Sequence, residues 1–217
     1  MFLRWCETLK QNGYSYSYIY IDFNTRYAHT LYTVDPERAF RYTQEARNHL
    51  SKEIPKTSKI WCLVQFQYLY LRILLKQDYS LLPELEEIAD GARKNYYSSY
   101  RHRNLAICAV LYVIGDTARA DERFLKDMAN PRHLRDKLRG FYFETMALHY
   151  LAHKNPNEAA AALEQAAAVF KDIPDYLRAV RHNQKVLRRG QFSSRRMAFY
   201  LGEPLKSGWY YIDPRAD

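Results

Sequence analysis

The sequence predicts an all-α fold, and three observations lead to it. Glycine and proline are scarce, at 7 and 8 in 217 residues, whereas chains of many short strands need frequent turn residues. Apolar residues recur at helical spacing, as in Phe2, Trp5, Cys6 and Leu9, which follow i, i+3, i+4, i+7. Helix stop and start signals fall between such stretches, among them Asp35-Pro36-Glu37, Gly115-Asp116-Thr117 and Asn155-Pro156.

Taken in order, residues 2–12 read as a short amphipathic helix that Gly13 ends. A first unit near 16–51 carries Ala28-x2-Leu31 and then Ala39-x6-Ala46. Between them Asp35 is placed to cap, Pro36 to occupy a first helical position where a missing N–H costs nothing, and Glu37 to complement the helix dipole. A second unit near 57–95 reads Phe66-x2-Leu69-Tyr70-x2-Ile73, then Leu82-x6-Ala89, with Asp78 in the turn. Its acids Glu84, Glu86 and Glu87 fall in the first turns of a helix beginning near Leu82, where they suit the dipole better than acid–base chemistry. A third unit near 98–129 reads Leu105-x2-Cys108-Ala109-x2-Tyr112, then Ala120-x3-Phe124. A fourth near 133–171 is the clearest: Phe143-x2-Met146-Ala147-x2-Tyr150, then Ala159-x3-Leu163-x2-Ala166. Small residues at Ala147 and Ala159 let two helices of a hairpin approach, Tyr150 and Leu163 fill the space beside them, and Asn155-Pro156 makes the turn, with Asn155 placed to cap and Pro156 at the first helical position. Residues 175–201 add a helix from Asp175 to Arg189, ended by Gly190, and a short one from Ser193 to Leu201. The tail 202–217, with Pro204, Gly208, Pro214 and the run Trp209-Tyr210-Tyr211-Ile212, is expected to be extended and to cap the last helix pair.

The four units resemble the tetratricopeptide repeat: a large residue, Leu, a small residue and Tyr mark the first helix, and Ala, a bulky residue and Ala mark the second. The resemblance covers about residues 16–171 and implies a right-handed α-solenoid of antiparallel helix pairs, with about 10–11 helices over 1–201. The markers Ala39, Leu82, Ala120 and Ala159 lie 43, 38 and 39 residues apart, longer than the family's period of about 34. It further implies a non-enzymatic scaffold, of the kind used in bacterial signalling or assembly, that binds a protein or peptide on its concave face. Carried over position by position, the groove would be lined by Thr25, His29 and Tyr32, by Gln67, Leu71 and Leu74, by Arg103, Ala106 and Val110, and by Glu144, Leu148 and Leu151. The family's Lys/Asn/Arg clamp for a terminal carboxylate is not reproduced there. A mixed polar and aliphatic lining suits an amphipathic peptide; equally, the aliphatic members can simply pack against the next pair.

The net charge of +9 is uneven. Residues 1–100 hold 13 Lys/Arg against 11 Asp/Glu and 141–175 hold 2 against 5, while 101–140 hold 9 against 5 and 176–217 hold 9 against 3. Arg178, Arg181, Lys185 and Arg188 form one stripe at helical spacing, extended by Arg189, Arg195 and Arg196. Such a stripe over 176–196 meets nucleic-acid phosphates, an anionic surface or an acidic protein, or else answers Glu158, Glu164 and Asp172 within the fold.

Little else in the chain suggests chemistry. Cys6, Cys62 and Cys108 are far apart and form no Cys-x-x-Cys, so they read as buried thiols of a reducing, cytoplasmic chain. His149 and His153 share a helix face, but Tyr150 stands where a zincin has Glu, and no third ligand is adjacent in sequence. There is no phosphate-cradling glycine loop and no Gly-x-Ser-x-Gly elbow. No run is apolar and long enough to span a bilayer, and the N-terminus lacks a signal-peptide pattern. The expectation is therefore a binding protein with no catalytic residues, no metal and no cofactor.

Overall fold

The computed structural model describes residues 2–14, 17–31, 35–50, 54–95, 97–128, 134 and 136–190. All regular structure among them is helical, with no strand. In chain order the helices are α1 (Phe2–Gln11), α2 (Tyr18–Leu31), α3 (Pro36–Asn48), α4 (Lys59–Lys76), α5 (Leu82–Asn95), α6 (Tyr97–Ile114), α7 (Thr117–Met128), α8 (Asp136–Ala152), α9 (Pro156–Val169) and α10 (Pro174–Arg188), with one 3-10 turn at Tyr79–Leu81 before α5. The expected short helix over 193–201, the tail 202–217, Tyr32, Arg195 and Arg196 lie outside the described residues, as does the side chain of His29. The chain divides into two compact units, the first Met1–Tyr97 and the second beginning at Ser98. That boundary falls between the second and third repeat units read from sequence.

In the first unit the punctuation works as the residues dictate. The Asp35 carboxylate accepts from the Arg38 N–H at 2.9 Å, with Pro36 opening α3 behind it. The Ser58 hydroxyl accepts from the Trp61 N–H at 3.3 Å to start α4. Gln77 takes a left-handed conformation (φ 54°) and donates its N–H to the Ile73 carbonyl, closing α4. A helix apolar on every side is a buried helix, and α4 follows the rule: Ile60, Val64, Leu69, Tyr70, Leu71, Ile73 and Leu74 are all at most 2% exposed. Helix α3 packs against both α2 and α4, and Tyr20, Ile21, Phe23, Ala46, Ile60 and Val64 form one core cluster. Tyrosines pack between helices: Tyr27 meets Tyr42 edge to face at 4.8 Å, and Phe40 stacks on Tyr68 at 5.4 Å, with the Arg47 guanidinium 4.2 Å from the Tyr68 ring centroid.

In the second unit α8 and α9 make the most extensive helix pair described. Ala147 on α8 and Ala159, Ala162, Leu163 and Ala166 on α9 are all buried, the small side chains letting the two backbones come close. Lys154 adopts a left-handed conformation (φ 59°) in the turn. The Asn155 N–H donates to the Tyr150 carbonyl at 2.8 Å and the Lys154 N–H to the Leu151 carbonyl at 3.1 Å, which satisfies the last carbonyls of α8. Pro156 opens α9 as expected, but the Asn155 side chain makes no capping hydrogen bond, so the expected Asn cap is corrected: the turn is fixed by backbone bonds. Gly115 (φ 85°) ends α6 and Gly190 (φ 61°) follows α10. Helix α10 packs on α9 through Ala179, Val180, Asn183 and Val186, which are buried. Among the described residues no helix is long and apolar enough to cross a membrane.

Candidate functional site

Ten of the twelve positions projected onto a groove are described, and all ten are interior. Gln67, Leu71, Arg103, Val110, Glu144 and Leu148 are each at most 4% exposed, and Thr25, Leu74, Ala106 and Leu151 are buried with them. Gln67 spends its amide on the fold, donating from Nε2 to the Thr25 carbonyl at 3.2 Å and so tying α4 to α2. The reason is that α4, α6 and α8 are apolar around most of their circumference, so the side of each helix chosen by the repeat pattern is covered too. Glu144 is the costly member. Burial pushes its carboxyl well above the usual carboxylate range, and neither oxygen has a hydrogen-bond partner among the described residues.

The basic stripe lies on the surface. Arg181, Lys185, Arg188 and Arg189 are exposed and Arg178 is half-buried. Among the described residues Arg181, Lys185 and Arg188 make no ion pair, with Glu158 and Glu164 or otherwise, and Asp172 lies near Lys171 instead, at 4.0 Å. Beside the stripe runs a shallow cleft of about 250 Å³ between α9 and α10, lined by Pro156, Ala160, Glu164, Gln184, Leu187 and Arg188. The first unit has a second cleft, of about 350 Å³, lined by Lys10, Asn24, Arg38, Arg41, Tyr42 and Glu45 among others. There Glu45 joins three elements: it pairs with Lys10 of α1, accepts from the Tyr20 hydroxyl of α2 at 3.0 Å and meets His49 Nε2 at 3.1 Å. Burial raises the Glu45 carboxyl, but the hydrogen bonds from Lys10, Tyr20 and His49 outweigh it and hold it below its ordinary value.

A third cluster appears where the ends of α6 and α8 meet α7. Asp121 of α7 stands between two histidines: His149 Nδ1 is 2.7 Å from its Oδ1 and His153 Nε2 is 2.7 Å from its Oδ2. The Tyr112 hydroxyl of α6 donates to Asp121 Oδ1 at 2.8 Å and lies 3.1 Å from His149 Nδ1. The His149 ring is flanked by Phe124 at 5.9 Å and Tyr112 at 6.1 Å, while His153 reaches solvent. Partial burial raises the Asp121 carboxyl, but hydrogen bonds from Tyr112, His149 and His153 prevail and hold it below its ordinary value. Burial, followed by the neighbouring carboxylate, raises Tyr112 and keeps its hydroxyl protonated, hence a donor. The sequence shows the His149/His153 pair, and the structure adds Asp121 of α7 beside it. Asp121 is 28 residues from His149 and reaches it only by helix packing. One signal pointed there: Asp121 directly follows the marker Ala120, on the helix that a repeat lays against the next unit's first helix.

The remaining sequence-based candidates are structural. Cys62 and Cys108 are buried and form no disulfide among the described residues, and Glu84 lies in the first turn of α5. No protein-family model matches the chain, no curated protein is significantly similar to it, and no solved structure matches it.

Proposed function

We propose that the chain is a non-catalytic binding scaffold, its helix pairs tetratricopeptide-like units of a right-handed solenoid, and that it binds an acidic protein or peptide segment. The observation that supports this reading is the outer face of α10, where Arg181, Lys185 and Arg188 are exposed and make no ion pair among the described residues. A routine solvated helix face interleaves acids with bases; between Tyr176 and Tyr200 this sequence has no acid at all. The adjoining cleft sets Ala160 and Leu187 next to Gln184 and Arg188, with Glu164 the one acid in its lining, and its apolar and cationic side suits an acidic amphipathic helix. The concave-face positions read from sequence that the structure describes are interior and offer a partner no exposed surface.

The same unpaired charges support a second reading, binding of nucleic acid through its phosphates. Fluorescence anisotropy with an acidic amphipathic peptide and with a duplex DNA of equal charge separates the two. The peptide is expected to bind more tightly at moderate salt, and the triple variant R181Q/K185Q/R188Q to weaken it about tenfold or more, by analogy with charged interface pairs. If DNA binds better, and the variant flattens its log K against log salt slope by about three, the second reading holds. Absence of both interactions at low salt overturns both.

A further inference from the structure

We propose that Asp121, His149 and His153 form a binding site for a divalent transition-metal ion, Zn2+ in the first instance, which clasps α7 to the end of α8. This goes beyond the scaffold reading and uses none of the residues that support it. The inference starts from convergence. Two imidazoles one helical turn apart aim one nitrogen each at the two oxygens of a single carboxylate, both at 2.7 Å, and the potential ligand atoms all lie within 4.8 Å of one another. A pair of histidines at i, i+4 with a third ligand from a neighbouring element is a recurrent way to hold zinc.

The donor set narrows the ion. Two neutral imidazoles and one carboxylate are borderline ligands, which favour Zn2+ and its first-row neighbours over Mg2+ or Ca2+, whose sites are built from oxygen. In a tetrahedral zinc site with bonds of about 2.0–2.1 Å, neighbouring ligand atoms stand about 3.3 Å apart. The contact between an imidazole and whichever Asp121 oxygen ligates therefore has to open from 2.7 Å by roughly 0.6 Å as the metal takes the place of the bridging proton. His153, with 43% of its side chain exposed, has room to make that adjustment. His149, flanked by Phe124 and Tyr112, stays where packing puts it.

The surroundings suit a ligand set as well. Ligating groups are commonly oriented by a further hydrogen bond, and the Tyr112 hydroxyl supplies one to Asp121 Oδ1. The exposed side of His153 gives the ion a way in and leaves a position for water. Tyr150 occupies the place where a zinc protease has its general base, so a clasp between helices, not hydrolysis, is the role the residues fit.

The test uses the full chain, stripped with a chelator and dialysed, and titrated calorimetrically with Zn2+; Co2+ serves as a second probe because its visible spectrum reports coordination. One equivalent should bind tightly, raise Tm, and give Co2+ bands of low-symmetry, four-coordinate type. His153→Gln alters an exposed side chain and should keep native circular dichroism while weakening Zn2+ about tenfold or more. Asp121→Asn should do likewise, and Tyr112→Phe should cost about tenfold through loss of the orienting bond. The proposal is overturned if the native chain takes up no Zn2+ at micromolar concentration, or if His153→Gln and Asp121→Asn, both folded, bind it within threefold of native. The second outcome would assign the metal to the chain's other histidines.

Discussion

The backbone of Gly140 on α8 lies flat against the ring of Phe170 at the end of α9: a β-carbon on Gly140 would stand 2.3 Å from Phe170 Cζ. The ring has little freedom to retreat. Phe170 is fully buried, with Phe141 and Tyr176 each 5.2 Å away, centroid to centroid. Glycine here is required by contact, not by backbone conformation.

Gly140→Ala should therefore destabilise the second unit. Helix propensity favours alanine by about 1 kcal/mol, but overpacking against a boxed ring costs about 1–3 kcal/mol, and the net sign is a loss. Denaturant unfolding measures it. Phe170→Leu in the same chain should recover part of the loss, so that the double variant is more stable than the sum of the singles; strict additivity would place the clash elsewhere.

Glu144 makes stability depend on pH in an unusual direction. Its folded-state pKa lies above the unfolded value, so the folded state holds its proton longer than the unfolded one. The group's contribution is fullest below about pH 4.3 and declines as pH rises toward the folded-state pKa, by at most about 1.4 kcal/mol per pH unit. Glu144→Gln removes that slope. Its Tm relative to native should rise with pH from about 4.3 until the folded-state pKa is passed, whatever fixed offset the amide adds; a pH-independent difference would show a carboxyl whose pKa folding leaves unchanged.

The alanine seam of α8 and α9 gives a paired test. Ala147 and Ala159 are fully buried whereas Ala161 is exposed on the far side of α9. Ala147→Leu and Ala159→Leu should each cost about 1–3 kcal/mol through overpacking. Ala161→Leu should stay within about 0.5 kcal/mol of native. Equal effects at all three would mean that the helices meet along another face.

Helix positions were legible because punctuation is local. Asp35-Pro36 and Gly115 each act within one turn of chain, and α1, α3, α9 and α10 begin or end within a residue or two of the reading. What could not be read is what depends on two helices at once. Nothing near Gly140 in sequence announces Phe170, thirty residues on. Asp121 becomes a neighbour of His149 only after α7 packs on α8. That the described groove positions are buried was not legible for a different reason, since a repeat pattern fixes which side of a helix bears its marker but not whether the other sides are covered. The clue was composition: Ile60 to Leu74 on α4 is apolar around most of its circumference, and such a helix has most of its sides covered.

The turn His153–Asn155 joins the two helices that share the most extensive packing described. Closing so short a loop costs little chain entropy, and contacts close in sequence form early. The α8–α9 hairpin is thus where folding of the second unit should begin, with α10 docking afterwards onto a surface already made. Changes in the alanine seam then slow refolding, while changes on the buried face of α10 hasten unfolding and leave the refolding rate nearly untouched.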